Sequence, residues 1–281
     1  MKKVNPPAFK LLLPAFLLLF IAAHAQKLPN VQQASLRAPD NVKIDGKANE
    51  WDGKFQAYNK ATEIFYTIAN DADNLYLVIQ AGDPDIINKI YANGITFSID
   101  SSGKKGNKNI ISFTYPVFDG DNRFHMNIKS KPKIEPGSSV SVLKADSFMN
   151  VANSSMAAKA KWIRVNGVKG LDTLISIYNE DGIKGAALFD DQMVYTLELQ
   201  VPLKYLGHPI NNFSKFAYHI ELHGLSGMNV DNVIRGQIRG PNGNMNPTVK
   251  MIGVNSLADI DRFIGMGAPT DFWGEYTLAK K

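Results

Sequence analysis

Hydrophobic residues in this sequence follow a two-residue period over many short segments. Residues 95–100 are the clearest case, because isoleucine or phenylalanine alternates there with threonine, serine and aspartate. Alternate side chains of a strand point to opposite faces of its sheet, so this pattern predicts a strand with one buried face. Further strands are predicted at residues 63–70, 75–81, 110–115, 126–128, 140–143, 162–168, 173–178, 194–201, 216–222 and 272–278.

Turn-forming residues separate these segments at intervals of about ten residues. The sequence DADN at residues 71–74 predicts a hairpin between the segments 63–70 and 75–81. Helical periodicity is confined to short turns predicted at residues 85–91 and 203–206. The pattern predicts an all-β, single-domain antiparallel sandwich of the immunoglobulin-like kind, with minor short helices.

The first 25 residues have the pattern of a secretory signal peptide. Three lysines precede an apolar run at residues 11–23, and a signal-peptidase site of the A-x-A form ends at Ala25. We expect cleavage after Ala25, an exported protein in the periplasm or outside the cell, and no membrane span in the mature chain. An extended leader is expected at residues 26–41, followed by the sandwich domain at residues 42–281.

Composition and charge argue against one class of partner. The chain has 281 residues, 44% of them hydrophobic and none of them cysteine, so it forms no disulfide bond. Its formal net charge of +5 falls to +2 without the signal peptide, which holds three of the 31 basic residues and none of the 26 acidic ones. A nearly balanced surface gives no electrostatic reason to expect a nucleic acid partner.

Sequence motifs of enzymes are missing from the chain. There is no G-x-S-x-G nucleophile elbow, no phosphate-binding G-x-x-x-x-G-K-[ST], no H-E-x-x-H and no thiol. Scattered carboxylates such as Glu198 and Glu221 permit a hydrolase without suggesting one. A non-catalytic protein is therefore expected.

The segment HIELH at residues 219–223 is the sharpest local feature. On a strand, His219, Glu221 and His223 share the face opposite the core. These side chains suit zinc or copper, but the two histidines would lie about 13 Å apart and cannot share one ion. A polar strip on a buried strand is where a sandwich places a binding face, so the three residues are candidate ligand-binding residues; a structural or solvent-facing role is the alternative.

Saccharide recognition requires flat aromatic faces and planar polar groups. Trp162 is a candidate aromatic platform, and Arg164 and Arg235 are candidate polar partners. Trp51 is predicted to be a core residue, because tryptophan is largely buried on average. Trp273 is also predicted to be a core residue, because Phe272 and Tyr276 flank it.

Two aspartates are candidate metal ligands. Asp71 and Asp73 supply oxygen atoms that suit a structural calcium ion. Turn formation is the simpler explanation of both residues, since aspartate hydrogen-bonds its own backbone in turns.

Four ordered segments resemble those of family 9 carbohydrate-binding modules. The sequence KIDGKANEW at residues 43–51 resembles the opening I-D-G-x-x-x-E-W segment of that family. Residues 66–76, 94–100 and 195–206 resemble its hairpin, its central strand and its Y-x-x-E-x-x-I-P strand, and FWG at residues 272–274 resembles its final strand. The resemblance spans about residues 42–278. It implies a jelly-roll-like sandwich, shared with DOMON-type domains, that binds a saccharide and often holds structural calcium.

We therefore expect an exported, non-catalytic saccharide-binding protein of the cell envelope, as a stand-alone copy of such a module. One alternative is a DOMON-like electron-transfer domain that holds haem through His125 and Met126, or through His219 and Met228. Another is an envelope scaffold without a small-molecule ligand. The sequence names no partner protein.

Overall fold

The computed structural model of the chain describes residues 27–103, 110–118, 128, 132–206, 215–225, 262 and 265–280. The predicted signal peptide, Arg235 and most of the strand predicted at residues 126–128 lie outside these ranges. In chain order the described strands are β1 (Ala57–Asn59), β2 (Ile64–Asn70), β3 (Asn74–Ala81), β4 (Ile95–Asp100), β5 (Ile111–Val117), β6 (Trp162–Asn166), β7 (Leu174–Ser176), β8 (Lys184–Phe189), β9 (Tyr195–Pro202), β10 (Lys215–Leu222) and β11 (Thr270–Thr277).

These strands form two antiparallel sheets that pack face to face. The five-stranded sheet has the order β1–β2–β3–β9–β8, and the six-stranded sheet has the order β11–β10–β4–β5–β6–β7. Their inner faces enclose one continuous apolar core. At its centre the hydroxyl oxygens of Tyr66 on β2 and Tyr218 on β10 lie 2.9 Å apart, and both side chains are fully buried. The predicted antiparallel β-sandwich is confirmed.

Two α-helices, α1 (Pro84–Asn93) and α2 (Ser139–Lys159), and 3-10 turns at Asn49–Trp51 and Leu203–Leu206 join the described strands. The helical turns predicted at residues 85–91 and 203–206 are confirmed. The carboxylate of Asp83 begins α1 by accepting a hydrogen bond from the backbone N–H of Asp85 at 2.8 Å. Among the described residues, no helix is both long and apolar enough to cross a membrane.

The strand predicted at residues 140–143 is wrong, because these residues form the first turn of α2, which is 21 residues long. Val140 and Val142 alternate with serine, which is a pattern typical of a strand. The hydroxyl of Ser138 instead caps a helix by accepting a hydrogen bond from the backbone N–H of Ser141 at 3.3 Å. The sandwich thus carries one long helix, where only minor short helices were expected.

Strands β1 and β8 were not predicted from the sequence. β8 contains Gly185, Ala186 and Ala187, residues of low strand propensity. A Cβ atom at Gly185 would lie 2.9 Å from Cγ of the buried Tyr115 ring, so the core itself requires a glycine there. The strand is therefore formed by tertiary packing and by pairing with β9.

The leader is part of the sandwich. Among residues 27–41 the only regular contact is an isolated β-bridge between Arg37 and Asn70. The side-chain amide of Gln32, however, pairs with β2 as a strand would: its Nε2 donates to the carbonyl oxygen of Ile68, and its Oε1 accepts from the N–H of Ile68, both at 2.7 Å. Gln32 is 3% exposed, so these hydrogen bonds are closed off from water.

The N-terminal residues also cover the outer face of the five-stranded sheet. Trp51 and Phe55 pack there against Tyr76 and Val78 of β3 in a second apolar cluster. Partly buried residues complete this cover: Leu28, Leu36, Val42, Ile44 and Ala48. One side of the sandwich is therefore sealed by apolar residues, which distinguishes it from the outer face of the six-stranded sheet.

Candidate functional site

The outer face of the six-stranded sheet carries alternating polar side chains. On β10, Phe216, Tyr218, Ile220 and Leu222 are buried in the core, as predicted, and the residues between them point outward. We call the outward set the polar face; it comprises Asp271, Trp273, His219, Glu221, Thr96, Ser98, Ser112, Thr114, Trp162, Arg164 and Asn166.

The strand register arranges these side chains in two rows. One row runs from Asp271 through Glu221, Thr96 and Thr114 to Arg164, each residue opposite the next on the neighbouring strand. The parallel row runs from Trp273 through His219, Ser98 and Ser112 to Asn166. Directly opposed side chains in a sheet are near neighbours, so each row is a continuous strip of polar groups.

Trp273 and His219 form an aromatic stack at one end of the polar face. Their ring centroids are 4.6 Å apart with an interplanar angle of 22°, and Trp273 is half-buried. The Nε2 atom of His219 lies 2.5 Å from Oδ2 of Asp271, which fixes the orientation of the imidazole. Trp273 also borders a depression of about 490 Å³ between the leader and β11, with Lys215 and Glu275 on the same wall.

The expectation that Trp273 is a core residue is wrong. On β11 the core side chains are Phe272 and Tyr276, whereas Asp271, Trp273 and Glu275 occupy the alternate, outward positions. The two-residue period of this strand was the signal that could have found Trp273. The aromatic neighbours Phe272 and Tyr276 favoured a core position for Trp273, but in the strand they lie on the opposite face.

His223 anchors the polar face near the middle of the sheet. Its Nε2 atom lies 2.7 Å from Oγ1 of Thr96, which itself lies 2.7 Å from Oγ1 of Thr114. Its Nδ1 atom is 3.2 Å from Oε1 of Glu221. Thr96 and Thr114 are almost completely buried, so this chain of contacts holds the imidazole in a defined position.

A groove adjoins His223 and Arg164. It has a volume of about 250 Å³, and its walls include Asn93 at the end of α1, Pro116 and Phe118. Arg164 is exposed and lies opposite Thr114, so only the threonine pair separates it from His223. We call this depression the Arg164 groove.

Five of the six predicted ligand-binding residues lie on or beside the polar face. Trp162 is half-buried, and it points outward on β6 with Arg164, because Ile163 between them is in the core. His219, Glu221 and His223 point outward from β10 and the residue that follows it. Arg235 lies outside the described residues. The structure thus brings together residues from separate strands, and their role in ligand binding stays a prediction.

The opening motif and the Y-x-x-E segment meet at a buried carboxylate on the other sheet. Oε1 of Glu198 accepts a hydrogen bond from Nε1 of Trp51 at 3.0 Å, and Oε2 accepts from the backbone N–H of Asp45 and of Gly46 at 3.0 and 2.9 Å. Glu198 is 0% exposed, and burial raises its pKa to about 7 against the opposing effect of the three donors.

Two expectations are settled by this cluster. Trp51 is 6% exposed, which confirms it as a core residue. Glu198 offers no oxygen to a substrate, because it is buried and both oxygens accept hydrogen bonds from the protein. The cluster is therefore structural: it fastens the N-terminal cover to β9.

The predicted calcium ligand Asp71 is engaged in a turn. Its Oδ1 accepts hydrogen bonds from the N–H groups of Asp73 and Asn74 at 2.7 Å, and its Oδ2 accepts from the hydroxyl of Tyr76 at 2.5 Å. Burial alone would raise the pKa of Asp71, but these donors outweigh it and hold the pKa below its ordinary value. Among the described residues, no cluster of three or more His, Asp or Glu side chains is arranged to hold a metal ion. Calcium binding at Asp71 and Asp73 stays a prediction.

Neither of the residue pairs proposed as haem ligands lies wholly within the described residues. His125, Met126 and Met228 lie outside the described residues. His219 is described, and its imidazole is stacked on Trp273 and bonded to Asp271. The haem alternative therefore stays a prediction.

Comparison with known proteins adds a distant likeness of fold. No family model matches the sequence, and no curated protein matches it. Among solved structures, the chain is similar to a carbohydrate binding module family 9 (CBM9) from Caldicellulosiruptor kristjanssonii in complex with glucose, with a TM-score of 0.37 and 10% identity over 88% of this chain and 96% of that chain. At this identity and TM-score we infer nothing from it about a ligand of this chain, and it does not support the relation to DOMON-type domains.

Proposed function

We propose that this protein is a non-catalytic saccharide-binding β-sandwich whose ligand lies across the polar face. One observation carries the proposal. The stack of Trp273 on His219 and the two rows of hydroxyl, amide and charged groups lie on the same side of the same sheet. A sugar ring presents a C–H face to an aromatic ring and pairs of hydroxyl groups to planar polar side chains. The polar face offers both kinds of partner.

The size of the polar face favours an oligosaccharide. From β10 to β6 there are three inter-strand spacings of about 4.8 Å, hence about 14 Å, and Trp273 on β11 lies one spacing further out. A single sugar ring cannot touch both Trp273 and Arg164 across that distance. We expect Trp273 to stack on one sugar unit while the groups near Arg164 contact another.

A binding role without catalysis agrees with the chemistry of the described residues. The sequence lacks the nucleophile and metal motifs considered above, and Glu198 is sealed in the protein interior. The predicted signal peptide supports an exported protein that meets saccharides at the cell envelope. N-terminal sequencing of the mature protein, with Gln26 as the expected first residue, tests this part of the proposal.

The proposal is tested by binding measurements on matched aromatic variants. A glycan array identifies the saccharide, and isothermal titration calorimetry then compares the wild type with Trp273→Ala, Trp162→Ala and Phe65→Ala. Phe65 is the control, because it is 39% exposed on the outer face of the opposite sheet. We expect Trp273→Ala to weaken binding at least about tenfold, or about 1.4 kcal/mol, and Phe65→Ala to leave it unchanged.

Two results would contradict the proposal. One is the absence of binding to every saccharide at millimolar concentration, with calcium and without it. The other is a ligand that binds with equal affinity to the wild type and to the Trp273→Ala, Trp162→Ala double variant, since such a ligand would not use the polar face.

A further inference from the structure

The histidine and arginine side chains on and beside the polar face differ in whether a carboxylate lies next to them. His219 lies against Asp271, and His223 lies beside Glu221, so each of these imidazoles has a carboxylate next to it. Lys161, the residue before β6, points its ammonium group at the hydroxyl and the ring of Tyr178. Among the described residues, Arg164 has no hydrogen-bond or ion-pair partner. Within the described part of the polar face, it is therefore the permanent cation that is available to a ligand.

The Arg164 groove places this guanidinium beside a small apolar wall. The groove measures about 250 Å³, below the about 300–1,000 Å³ of typical small-molecule pockets, which fits one sugar unit of a longer chain. Pro116 and Phe118 supply apolar surface for a ring, and Asn93 and His223 supply polar groups. No carboxylate is among the described residues that line it.

These observations favour an anionic sugar over a neutral one. A guanidinium binds a carboxylate with two parallel N–H···O hydrogen bonds, and charge assistance makes such bonds about twice as strong as neutral ones. A hydroxymethyl group in the same position has one oxygen and no charge, so it accepts from the guanidinium without the second parallel bond and without the attraction between opposite charges. A uronic acid therefore forms more and stronger hydrogen bonds with Arg164 than the corresponding hexose does.

We propose that the Arg164 groove recognises the carboxylate of a uronic acid unit, so that the preferred ligand is an acidic oligosaccharide lying across the polar face. This inference rests on the proposed function. In the bound state the carboxylate lies on the guanidinium of Arg164, the sugar ring rests on Pro116 and Phe118, and His223 contacts the ring hydroxyls. A neighbouring unit of the chain extends toward Trp273.

Matched oligosaccharide pairs test the preference. Hexamers of galacturonate and of mannuronate are each compared with the same hexamer as its methyl ester, which removes the charge but keeps the ring, the linkage and the carbonyl group. Calorimetry on the full chain at low and at 0.3 M salt gives the affinities. We expect the acid to bind at least about tenfold more tightly than its ester at low salt, and the difference to shrink at high salt.

Variants assign the preference to Arg164. Arg164→Gln should bring acid and ester to equal affinity, and Arg164→Lys should keep part of the preference because it keeps the charge but loses the planar fork. Arg37→Gln is the control, because Arg37 lies on the leader against β2. It should bind both forms as the wild type does.

The outcomes separate this inference from the proposed function. Equal affinity for acid and ester, with both weakened by Trp273→Ala, overturns the inference and supports saccharide binding on the polar face. A preference for the acid that survives in Arg164→Gln also overturns it. Binding to neutral glycans but to neither form of either hexamer overturns it as well, and binding to no glycan overturns both proposals.

Discussion

The indole nitrogen of Trp51 donates a hydrogen bond to Oε1 of Glu198 at 3.0 Å, across 147 residues of sequence and in the interior of the protein. The two residues belong to separate segments, one in the N-terminal cover and one on β9 of the five-stranded sheet. Because the second oxygen of Glu198 accepts from the N–H groups of Asp45 and Gly46, one carboxylate holds the whole opening segment against the sheet.

Replacing Trp51 with phenylalanine should destabilise the protein. The ring remains, but the buried carboxylate loses one of its three donors, which costs about 1–3 kcal/mol of unfolding free energy. Urea unfolding followed by circular dichroism measures the change. Trp162→Phe is the matched control on the half-buried Trp162, where a change within about 0.5 kcal/mol is expected. Equal effects of the two substitutions would contradict the structural role of Trp51.

Glu198 should make the stability of the protein depend on pH. Its folded-state pKa of about 7 lies above its ordinary value of 4.5, so between these values the folded protein retains a proton that the unfolded chain has released. The contribution of Glu198 is therefore fully present below a pH of about 4.5 and is lost as the pH rises through 7, a change of the order of 3 kcal/mol.

The variant Glu198→Gln tests this pH dependence. It should be less stable than the wild type in acid, because its NH2 group faces a donor, and its stability should lack the decline between pH 5 and 8 that Glu198 causes. Urea denaturation across that range gives both slopes, with Glu180→Gln on the surface as the control. A Glu198→Gln slope identical to that of the wild type and of the control would refute the assignment.

Gln32 should determine whether the leader stays attached to the sandwich. In Gln32→Ala both the N–H and the carbonyl of Ile68 lose their partners in a buried position, which costs about 2–4 kcal/mol for two buried hydrogen bonds. Limited proteolysis should then cleave the leader faster. Gln33→Ala is a close control, because Gln33 is exposed and its side-chain amide donates to the nearby carbonyl of Val31 rather than to β2. Similar cleavage rates in the two variants would count against this role.

Gly274 should not tolerate a side chain. A Cβ atom at this position would overlap the buried ring of Tyr218 and lie 2.6 Å from its Cε1, so alanine must displace the ring from its contact with Tyr66. Overpacking of this kind costs about 1–3 kcal/mol. Thermal unfolding should show a lower Tm for Gly274→Ala than for Gly82→Ala, where an added Cβ meets nothing within 4 Å. A Tm for Gly274→Ala as high as that of Gly82→Ala would mean that the ring can move at little cost.

Much of the fold could be predicted from local sequence patterns. The alternation along β4 and β10 identified both the strands and their core residues, because side-chain direction in a strand depends only on backbone geometry. The same rule failed at α2, where Val140 and Val142 alternate by chance within a helix that Ser138 caps. The same rule would have predicted the outward position of Trp273, which was wrongly expected in the core.

The candidate site was only partly predictable. His219, Glu221 and His223 were found together because they are two residues apart on one strand. Trp162 and Arg164 were found as candidates, but no local pattern placed them on the same face as His219, since strand order is a property of the whole sheet. The groove itself depends on the approach of α1 to β5 and β6, and it has no signature in the sequence.

The sequence by itself determined the class of fold, the composition of the core and the polar character of one strand face, because each of these follows from the period of hydrophobic residues. Only the tertiary structure decided that Trp273 stacks on His219, that Glu198 fastens the opening segment, and that Arg164 lines a groove and has no partner among the residues that the structure describes. These relationships join residues distant along the chain, and the contacts that select them arise only when the two sheets close over a common core.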